Sequence, residues 1–449
     1  MNRTFDVCII GGGPAGISAA KAAVTQGLSA VIIENGSLGG TCLNEGCIPT
    51  KLMGITSKLL ESTKNGLFYG IEAIENVKLS WEKFQQKTRH FISKLNRGVD
   101  YNLEQLGVKR ICGKASFISN TKIGVTLDLE EKIEIEAKYI IIATGLKCDL
   151  PEEFPKSNKI MLPAQVFELN KLPKSAIILG GGVVGCEFAS MLNGLGVNCR
   201  IVEQRDTLIA NLPHFCGKML VTAFLKKGIR CFLNKSITSI KDNGNSIDVA
   251  IGDNVLTTDC LIVTGNSYPN IDLLGLTKVG VHTNEKKEIV VDGNFKTSID
   301  NIYAVGDVVI GSQRTAGFAS YSGECAVKNI CGKCIATQII PTCVFSSPEV
   351  ATVGKVFEEK ALVKEGIEIK WIKFYTNAKA QMLGDQDGVL GLFLEKESNQ
   401  ILGAIIVSEY AASLIGEINI AICCKLKLDD FVSLYRTHPT LGEIFCERL

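Results

Sequence analysis

The chain has 449 residues, of which 46% are hydrophobic, and its formal net charge is +1. This length is too great for a single hydrophobic core and predicts about two to four domains, while the near-neutral charge gives no electrostatic basis for binding nucleic acid or an anionic membrane. No apolar run approaches the roughly 18 to 20 residues that span a bilayer. The first residues, MNRTFDVCII, lead directly into an apolar strand, so we expect no signal or transit peptide.

One sequence pattern occurs twice. DVCIIGGGPAG (residues 6–16) is an apolar run, a glycine cluster and the start of a helical stretch, and AIILGGGVVG (residues 176–185) repeats this order. A second apolar run follows each cluster and ends in an acid, Glu34 or Glu203, at the same distance from the first glycine. This is the strand–turn–helix–strand layout of a dinucleotide-binding fold, so we predict an α/β fold class with two Rossmann-like nucleotide-binding domains.

The glycines of each cluster have separate roles in such a fold. The first permits the tight turn, the second lets the backbone approach a pyrophosphate, and the third lets helix and strand pack closely. The helix N-terminus favours the phosphates, and the acid accepts hydrogen bonds from ribose hydroxyls and repels a 2′-phosphate. The predicted nucleotide-binding residues are Gly11, Gly13, Gly16 and Glu34 in the first unit, and Gly180, Gly182, Gly185 and Glu203 in the second.

Three further apolar strands end in short signatures. YIIIATG (139–145) and CLIVTG (260–265) close the two units with Thr-Gly, and NIYAVGDVV (301–309) contains Gly-Asp after its apolar run. A carboxylate such as Asp307, at a strand end beside a helix start, is well placed to bind a ligand hydroxyl. Aspartate also caps helices without any ligand, so the pattern alone leaves both readings open.

The character of the chain changes at residue 339, where alternating strands precede the apolar helical run AASLIGEINIAICCKL. This order predicts a separate α+β domain. We predict a first nucleotide-binding domain over residues 1–145 and 266–335, a second over residues 146–265, and the α+β domain over residues 336–449.

The chain contains 17 cysteines, most of them scattered singly through apolar segments. Free cysteine packs as a small hydrophobe, and such a distribution in a long chain favours a reducing compartment. We therefore predict a cytoplasmic protein in which most cysteines are packed free thiols. The examples are Cys8, Cys112, Cys148, Cys199, Cys231 and Cys260, together with the vicinal Cys423 and Cys424.

The segment GGTCLNEGCIPTK (residues 39–51) is different, because it places Cys42 and Cys47 five positions apart. In a regular helix that spacing is a rise of about 7.5 Å, beyond the roughly 4.4 to 6.8 Å Cα separation of a disulfide. A bent turn would bring the thiols together, and Gly46 and Pro49 favour one. A redox pair beside the first nucleotide, two structural thiols and half of a zinc site all fit, although no nearby His or Cys supplies further zinc ligands.

This segment resembles the active-site segment of the pyridine nucleotide–disulfide oxidoreductases, in the form found in dihydrolipoamide dehydrogenases. The likeness extends over essentially the whole chain, through GGGPAG, ATG, GGGVVG and GD to HPTLGE, in the family's order. It implies that the first unit binds FAD, that the second binds NAD or NADP, and that the last domain forms a homodimer; the charge of Glu203 favours NAD.

The resemblance also implies roles for individual residues. Cys42 would exchange with the substrate and Cys47 would lie against the flavin. The FAD site would contain Gly11, Gly13, Gly16, Glu34, Gly40, Thr41, Lys51, Ala115, Thr144, Gly145, Asp307 and Ala316, with Asp307 at the ribityl chain. The NAD site would contain Gly180, Gly182, Gly185, Glu203 and Gly265.

Two further pairs follow from the resemblance. Lys51 would pair with Glu187 near the flavin, and His438 and Glu443 would reach in from the partner subunit as an acid–base dyad. Thiolates carry thiol–disulfide exchange, so a base beside the attacking thiol raises the rate. Histidine has a suitable pKa, and a carboxylate on its other nitrogen fixes the tautomer.

Some positions depart from the family's pattern. The loop SQRTAGFASYSG (312–323) has Gly317 where dihydrolipoamide dehydrogenases have a histidine at the flavin, so we expect FAD to bind with a different redox potential. Asn266 and Ser267 stand where the family often has an arginine, and Thr50 replaces a commoner serine.

A second close pair of cysteines, Cys331 and Cys334 in CGKC, resembles a thioredoxin-type dithiol. The family has an ordinary linker at this place. The pair therefore stays outside the predicted site.

The expected activity is FAD-dependent oxidation of protein-bound dihydrolipoamide to lipoamide, with reduction of NAD. By resemblance, the lipoyl group belongs to a 2-oxo acid dehydrogenase complex or a glycine-cleavage protein. One alternative is a glutathione-reductase-like enzyme that uses NADPH, which the charge of Glu203 disfavours. Another is a non-catalytic FAD-binding scaffold, which only the unusual loop at residues 312–321 favours.

Overall fold

A computed structural model describes residues 3–64, 66–72, 77–127, 130–333, 338–362 and 365–446. The chain forms two compact units. The first unit comprises Met1–Leu52, Glu82–Asp149 and Asn266–Gln338, and the second comprises Met53–Trp81, Leu150–Gly265 and Ile339–Leu449. The division into three functional domains stays a prediction.

The secondary structure alternates in the order expected for an α/β chain. The helices are α1 (Pro14–Thr25), α2 (Gly40–Asn44), α3 (Cys47–Lys64), α4 (Trp81–Gln105), α5 (Val183–Gly194), α6 (His214–Lys226), α7 (Ala316–Ile330), α8 (Glu359–Leu362), α9 (Ala378–Leu383), α10 (Ala411–Cys423) and α11 (Leu428–Ser433). The strands are β1 (Thr4–Ile10), β2 (Ala30–Glu34), β3 (Lys109–Cys112), β4 (Lys114–Phe117), β5 (Lys122–Thr126), β6 (Lys132–Ile142), β7 (Leu146–Cys148), β8 (Ile160–Met161), β9 (Ser175–Leu179), β10 (Asn198–Val202), β11 (Arg230–Phe232), β12 (Ile237–Asp242), β13 (Ile247–Ile251), β14 (Asn254–Thr258), β15 (Cys260–Val263), β16 (Ser267–Pro269), β17 (Ile302–Ala304), β18 (Thr342–Val344), β19 (Glu349–Gly354), β20 (Ile367–Lys373), β21 (Val389–Glu395) and β22 (Ile401–Ser408). Short 3-10 turns occupy Gly66–Tyr69, Pro163–Glu168, Leu276–Val279, Gly306–Val308, Phe374–Thr376 and Leu441–Cys446.

A seven-stranded sheet forms the centre of the first unit. Its order is β3-β2-β1-β6-β5-β4, and β17 also pairs with β6. The pairs among β1, β2, β3, β6 and β17 are parallel, whereas β5 is antiparallel to β4 and β6. Strand β6, KIEIEAKYIII, alternates polar and apolar residues up to Lys138, and its last three residues beside β1, Ile140 to Ile142, are all apolar and buried. This change is typical of a strand that passes into a region covered on both faces.

Helices α1 and α7 pack together on this sheet with little space between their backbones. Val7 and Ile9 of β1 share a buried cluster with these helices, and Cys8 lies in the cluster on the other face. A Cβ on Gly323 of α7 would lie 2.2 Å from the carbonyl oxygen of Ala15 in α1. The small residues therefore permit a close helix crossing that brings both helix N-termini to the carboxyl ends of the parallel strands.

The second unit contains two larger sheets. A parallel sheet has the order β11-β10-β9-β15-β8. Strands β12, β13 and β14, which lie between β11 and β15 in the sequence, form a separate antiparallel sheet. After residue 339, an antiparallel sheet has the order β18-β19-β22-β21-β20, and α10 packs on it in one buried cluster. The predicted fold class, two Rossmann-like sheets followed by an α+β region, is confirmed. Within the described ranges, no helix is both long and apolar enough to cross a membrane.

The two glycine turns have the same backbone geometry. Gly11 and Gly180, the first glycine of each cluster, have φ of 110° and 106°, in the region that L side chains rarely adopt. A Cβ on the third glycine, Gly16 or Gly185, would lie 1.9 Å from the carbonyl oxygen of the first. The sequence duplication is therefore a structural duplication, and the helix–strand contact in each unit requires the third glycine.

The prediction that scattered cysteines are packed is correct for some and wrong for others. All 16 cysteines within the described ranges are free thiols, and Cys8, Cys199 and Cys260 are buried. The exposed ones are Cys112, Cys148, Cys423 and Cys424. Each of these lies at or beside the end of a strand or helix, where apolar neighbours in the sequence do not decide which positions face solvent.

Gly16→Ala is expected to destabilise the protein, because the new methyl group would meet a backbone oxygen that cannot turn away. Overpacking of this kind costs about 1–3 kcal/mol or more. The matched control is Gly98→Ala in α4, where a Cβ meets no atom within 4 Å and alanine in a helix interior is worth up to about 1 kcal/mol. Urea unfolding followed by circular dichroism would compare them, and equal midpoints would contradict the expectation.

Candidate active site

Glu34 closes the first nucleotide turn. Its Oε2 accepts a hydrogen bond from the N–H of Gly12 at 2.6 Å, and its Oε1 accepts one from the N–H of Gly36 at 2.8 Å. Each carboxylate oxygen has a further lone pair for a ribose hydroxyl. The acid at the end of β2 therefore fixes its own turn and presents an acceptor to a nucleotide.

Open space and an unpaired hydroxyl lie beside this turn. A Cβ on Gly13 would meet no atom nearer than the Cα of Gly40 at 3.9 Å, and one on Gly145 would meet none within 4 Å. No side chain caps α1, so its first-turn N–H groups can bind phosphate oxygens. The Oγ1 of Thr144 is buried without a hydrogen-bond partner among the described residues. These features fit the pyrophosphate and ribose of a dinucleotide.

The second turn repeats this arrangement. Oε2 of Glu203 accepts a hydrogen bond from the N–H of Gly181 at 2.6 Å, and Oε1 accepts one from the N–H of Arg205 at 2.8 Å. A Cβ on Gly182, the N-cap residue of α5, would meet no atom within 4 Å, and no side chain caps the helix. The second unit therefore offers the same pyrophosphate space and the same ribose acceptor.

Asp307 lies in the 3-10 turn after β17, where it is half-buried. Burial raises the pKa of this carboxyl group, although a hydrogen bond from Ser312 and the positive charge of Arg314 oppose the rise. The hydroxyl of Ser312 donates to Oδ1 of Asp307 at 3.2 Å. This hydroxyl holds the carboxylate at the strand end, in the position predicted to bind a ligand hydroxyl.

The two redox candidates lie on either side of a break between helices. Cys42 is in α2, which ends at Asn44, and Cys47 is the first residue of α3. The N–H of Gly46 donates to the carbonyl oxygen of Thr41 at 2.6 Å, which closes the turn between them. The predicted bend is therefore present, and it brings the two thiols into hydrogen-bond contact.

This contact changes the ionisation of Cys42. The hydrogen bond with the Cys47 thiol raises the pKa of Cys42 far above its usual range, and burial and the negative charge of Asp307 add to the rise. The positive charge of Lys51 opposes them. Ionisation of both thiols together is therefore disfavoured, and the positive charge of Lys51 favours the Cys42 thiolate.

Lys51 and Glu187 belong to different units of the chain. Lys51 lies in the first part of α3, and Glu187 lies in α5, where it is buried and its Oε1 accepts a hydrogen bond from the N–H of Phe345 at 2.9 Å. The predicted pairing of Lys51 with Glu187 stays a prediction.

His438 and Glu443 meet in the second unit. Nδ1 of His438 lies 2.9 Å from Oε1 of Glu443, and Oε2 of Glu443 accepts a hydrogen bond from the N–H of Thr440 at 2.8 Å. That backbone bond and His438 together lower the pKa of the Glu443 carboxyl group. The His438 side chain is 75% exposed, so the imidazole is open to solvent on its own chain.

The remaining predicted residues lie at the starts and ends of elements. Gly40 and Thr41 begin α2, Ala115 lies in β4, and Ala316 begins α7. Gly265 follows β15 with a φ of 93°. Their roles in binding a nucleotide stay predictions.

The positions that depart from the family's pattern have local partners. Gly317 lies in the first turn of α7 beside the N-cap Thr315, whose side chain accepts a hydrogen bond from the N–H of Phe318. The side chain of Asn266 donates to the carbonyl oxygen of Asp149 at 2.6 Å. In the CGKC segment, Cys331 follows α7, and Cys334 lies outside the described residues.

Asn44 supports the site, although the sequence alone gave it no role. Its Nδ2 donates to the carbonyl oxygens of Gly40 at 2.9 Å and Leu38 at 3.1 Å. These bonds hold the approach to Cys42 in a fixed shape. No spacing rule separates such an asparagine from one on a solvent-exposed helix end, so only the folded chain identifies it.

Comparison with known proteins agrees with this geometry. The sequence pattern of the pyridine nucleotide-disulphide oxidoreductases matches residues 5–323, and that of the family's dimerisation domain matches residues 340–449. The chain belongs to the pyridine nucleotide-disulphide oxidoreductase family. The resemblance found in the sequence is confirmed.

Relatives within the family are similar over their full length. The dihydrolipoyl dehydrogenase of Chlamydia muridarum is 33% identical over 100% of this chain and 96% of its own, and that of Geobacillus stearothermophilus is 34% identical over 98% and 95%. The crystal structure of LpdA from Mycobacterium tuberculosis aligns with a TM-score of 0.90 at 25% identity over 97% of each chain. The HOCl-induced flavoprotein disulfide reductase RclA from Escherichia coli, at 24% identity and a TM-score of 0.87 over 98% of each chain, shares the fold.

Family membership fits the features of the two units. The cofactors of this oxidoreductase family are FAD and NAD, and each glycine turn offers space for a pyrophosphate beside a ribose-binding acid. The match of residues 340–449 to the dimerisation domain supports a homodimer. The exposed His438 lies in that matched segment. The close pair of Cys42 and Cys47 fits the disulfide chemistry of the family. Among the described residues, no cluster of His, Cys, Asp or Glu is arranged to hold a metal ion.

Lys51→Met is expected to slow alkylation of Cys42 several-fold at pH 8, because removing the positive charge raises the pKa of Cys42 further and lowers its thiolate fraction. The measurement is the iodoacetamide rate in a Cys47→Ser background, where one thiol of the segment reacts. Lys21→Met, a lysine of α1 in the same unit, is the control. An unchanged rate in Lys51→Met would contradict the electrostatic role.

Proposed function

We propose that the protein is a dihydrolipoyl dehydrogenase, which oxidises protein-bound dihydrolipoamide to lipoamide and reduces NAD. The observation that carries this proposal is the hydrogen-bonded Cys42–Cys47 pair at the α2–α3 break, in a chain whose full-length curated relatives are dihydrolipoyl dehydrogenases. Two thiols in contact can form a disulfide and regenerate it, which is the chemistry that a dithiol substrate requires.

The reaction of the cysteine pair is a balanced exchange. One sulfur of dihydrolipoamide attacks Cys42 of the disulfide form, so that a mixed disulfide forms and the Cys42–Cys47 bond breaks. The second substrate sulfur then displaces Cys42, which releases lipoamide and leaves two cysteine thiols. Two electrons and two protons have passed from the substrate to the pair. FAD, when bound, supplies the two-electron relay from this dithiol to NAD.

His438 is the proposed acid–base group of this exchange. Glu443 binds Nδ1 and so fixes the tautomer that leaves Nε2 free to take the substrate's proton. The imidazole is 75% exposed on its own chain, which fits a group that acts on the cysteine pair of a partner subunit. The homodimer is then part of the active site.

Nucleotide choice rests on Glu203. The Glu203 carboxylate accepts hydrogen bonds from the N–H groups of Gly181 and Arg205 and suits ribose hydroxyls, and its charge repels a 2′-phosphate. This favours NAD over NADP and disfavours a glutathione-reductase-like activity. In the proposed division of the chain, residues 1–145 and 266–335 hold FAD, residues 146–265 hold NAD, and residues 336–449 form the dimer.

The substrate and location complete the proposal. The lipoyl group is carried by a 2-oxo acid dehydrogenase complex or a glycine-cleavage protein, as the resemblance implies. A cytoplasmic location suits a chain whose described cysteines are all free thiols. Lys51, paired with Glu187, would stabilise negative charge beside the cysteines and the flavin.

Turnover assays separate this function from its alternatives. NADH formation from dihydrolipoamide and NAD is compared with NADPH oxidation by glutathione disulfide, using the FAD-loaded protein. Dihydrolipoamide oxidation with NAD supports the proposal, and glutathione disulfide reduction with NADPH replaces it. A yellow protein that catalyses neither reaction would be the scaffold.

Cys42→Ser and Cys47→Ser are each expected to reduce dihydrolipoamide turnover by a factor on the order of 10³ or more, because neither variant can form the disulfide. Cys148→Ser, which removes an exposed thiol of the same unit, should retain normal turnover. Persistence of the full rate in either variant of the pair would refute the mechanism.

Glu203→Ala is expected to raise KM for NAD about 10- to 100-fold, since a hydrogen bond to a charged group contributes about 1.5–3 kcal/mol. Its discrimination against NADPH should fall at the same time, because the repulsion of the 2′-phosphate is lost. Asp206→Asn removes a neighbouring exposed charge and serves as the control. A shift of the same size in both variants would attribute selectivity to general charge instead of to Glu203.

A further inference from the structure

A groove of about 460 Å³ lies on the first unit, along one face of α4. The helical part of its lining follows positions 89, 92, 93, 96, 97 and 100, which are neighbours on successive turns of one helix face. The rest of the lining comes from Ser37, Leu38, Asn44 and Arg110. None of the residues assigned to FAD or NAD lines this groove.

The groove concentrates positive charge. Three guanidinium groups line it, those of Arg89, Arg97 and Arg110, together with the single carboxylate of Asp100. Nη1 of Arg110 pairs with Oδ2 of Asp100 at 3.2 Å. Within the part of the chain that is described, no carboxylate lies at ion-pair distance from Arg89 or Arg97. Since the whole chain has a net charge of only +1, this local excess is a feature of the groove and not of the surface in general.

Two polar atoms of the groove residues are buried and lack a partner among the described residues. They are Nε of Arg110 and Oδ1 of Asn96. Nη2 of Arg110 donates to the carbonyl oxygen of Gly36 at 3.2 Å, and Nδ2 of Asn96 donates to Oδ1 of Asn44 at 2.8 Å. A buried polar group without a partner is costly. An anion that draws the Arg110 guanidinium toward the groove would give its Nε–H an acceptor.

We propose that this groove binds a phosphorylated small molecule that carries hydroxyl groups, of the class of a sugar phosphate or a nucleoside monophosphate. The planar fork of arginine binds phosphate through two parallel hydrogen bonds, and Arg89 and Arg97 have this capacity unused. The volume falls within the range of about 300–1,000 Å³ typical of small-molecule sites and exceeds what one inorganic ion fills. Ser37 and Ser93 supply hydroxyl groups to the rest of the ligand.

The groove lies beside the redox segment. Asn44 is two residues from Cys42, and its amide accepts from Asn96 and donates to the carbonyl oxygen of Gly40. A ligand in the groove therefore contacts Asn44, which fixes the shape of the turn before Cys42. A ligand at this position is placed to act as an effector and not as a substrate.

Titration calorimetry on the FAD-loaded, full-length protein tests this site. Saturating NAD is present, so that phosphorylated probes do not enter the second nucleotide turn. The probes are ribose 5-phosphate, adenosine 5′-monophosphate and inorganic pyrophosphate. Arg89→Gln combined with Arg97→Gln is expected to weaken the bound probe at least tenfold. Lys87→Gln combined with Lys94→Gln, an equal loss of charge at exposed positions of α4 outside the groove, should leave the affinity unchanged.

The outcomes separate the possible ligands. Binding of ribose 5-phosphate identifies a sugar-phosphate site, and binding of adenosine 5′-monophosphate alone identifies a nucleotide site; either result supports the proposal when it depends on Arg89 and Arg97. Equal weakening in both double variants would overturn it in favour of diffuse helix charge. Failure of every probe to bind at 10 mM would also overturn it, as would binding of pyrophosphate alone. Unchanged dihydrolipoamide turnover in the variants checks that they fold.

Discussion

The contact between the Cys42 and Cys47 thiols depends on how the backbone breaks between two helices. The short helix α2 ends at Asn44, and the N–H of Gly46 donates back to the carbonyl oxygen of Thr41, so that α3 can begin at Cys47 itself. A continuous helix would hold the two sulfurs apart. Lys51 supplies positive charge to this turn, and Asn44 holds the backbone before it.

Backbone hydrogen bonds to a carboxylate recur at the two proposed nucleotide sites. Glu34 and Glu203 each accept two N–H groups, one from the glycine turn and one from the residue two positions beyond the acid. Such an acid holds the loop and remains an acceptor for ribose. The duplicated strand–turn–helix unit therefore repeats the position of a carboxylate as well as the fold. Each copy offers a dinucleotide the same glycine turn and the same carboxylate acceptor.

The proposed acid–base dyad shows a different principle, since His438 and Glu443 are hydrogen-bonded to each other while the imidazole is largely exposed. Glu443 is fixed by the N–H of Thr440, so the imidazole is oriented before any partner arrives. An imidazole that is already oriented and still exposed is available to act on a second molecule. Together with the match of this segment to a dimerisation domain, that exposure explains why the proposed active site needs two chains.

Features set by neighbours in the sequence were predictable: the glycine turns, the acids that follow them, the apolar strands and the break between Cys42 and Cys47. They follow from local rules of backbone conformation and side-chain periodicity. The tertiary structure alone decided which cysteines are exposed, that Asn44 braces the turn before Cys42, and that Arg110 joins the arginines of α4 around one groove. These depend on which surfaces of distant segments meet, and no local pattern encodes that meeting.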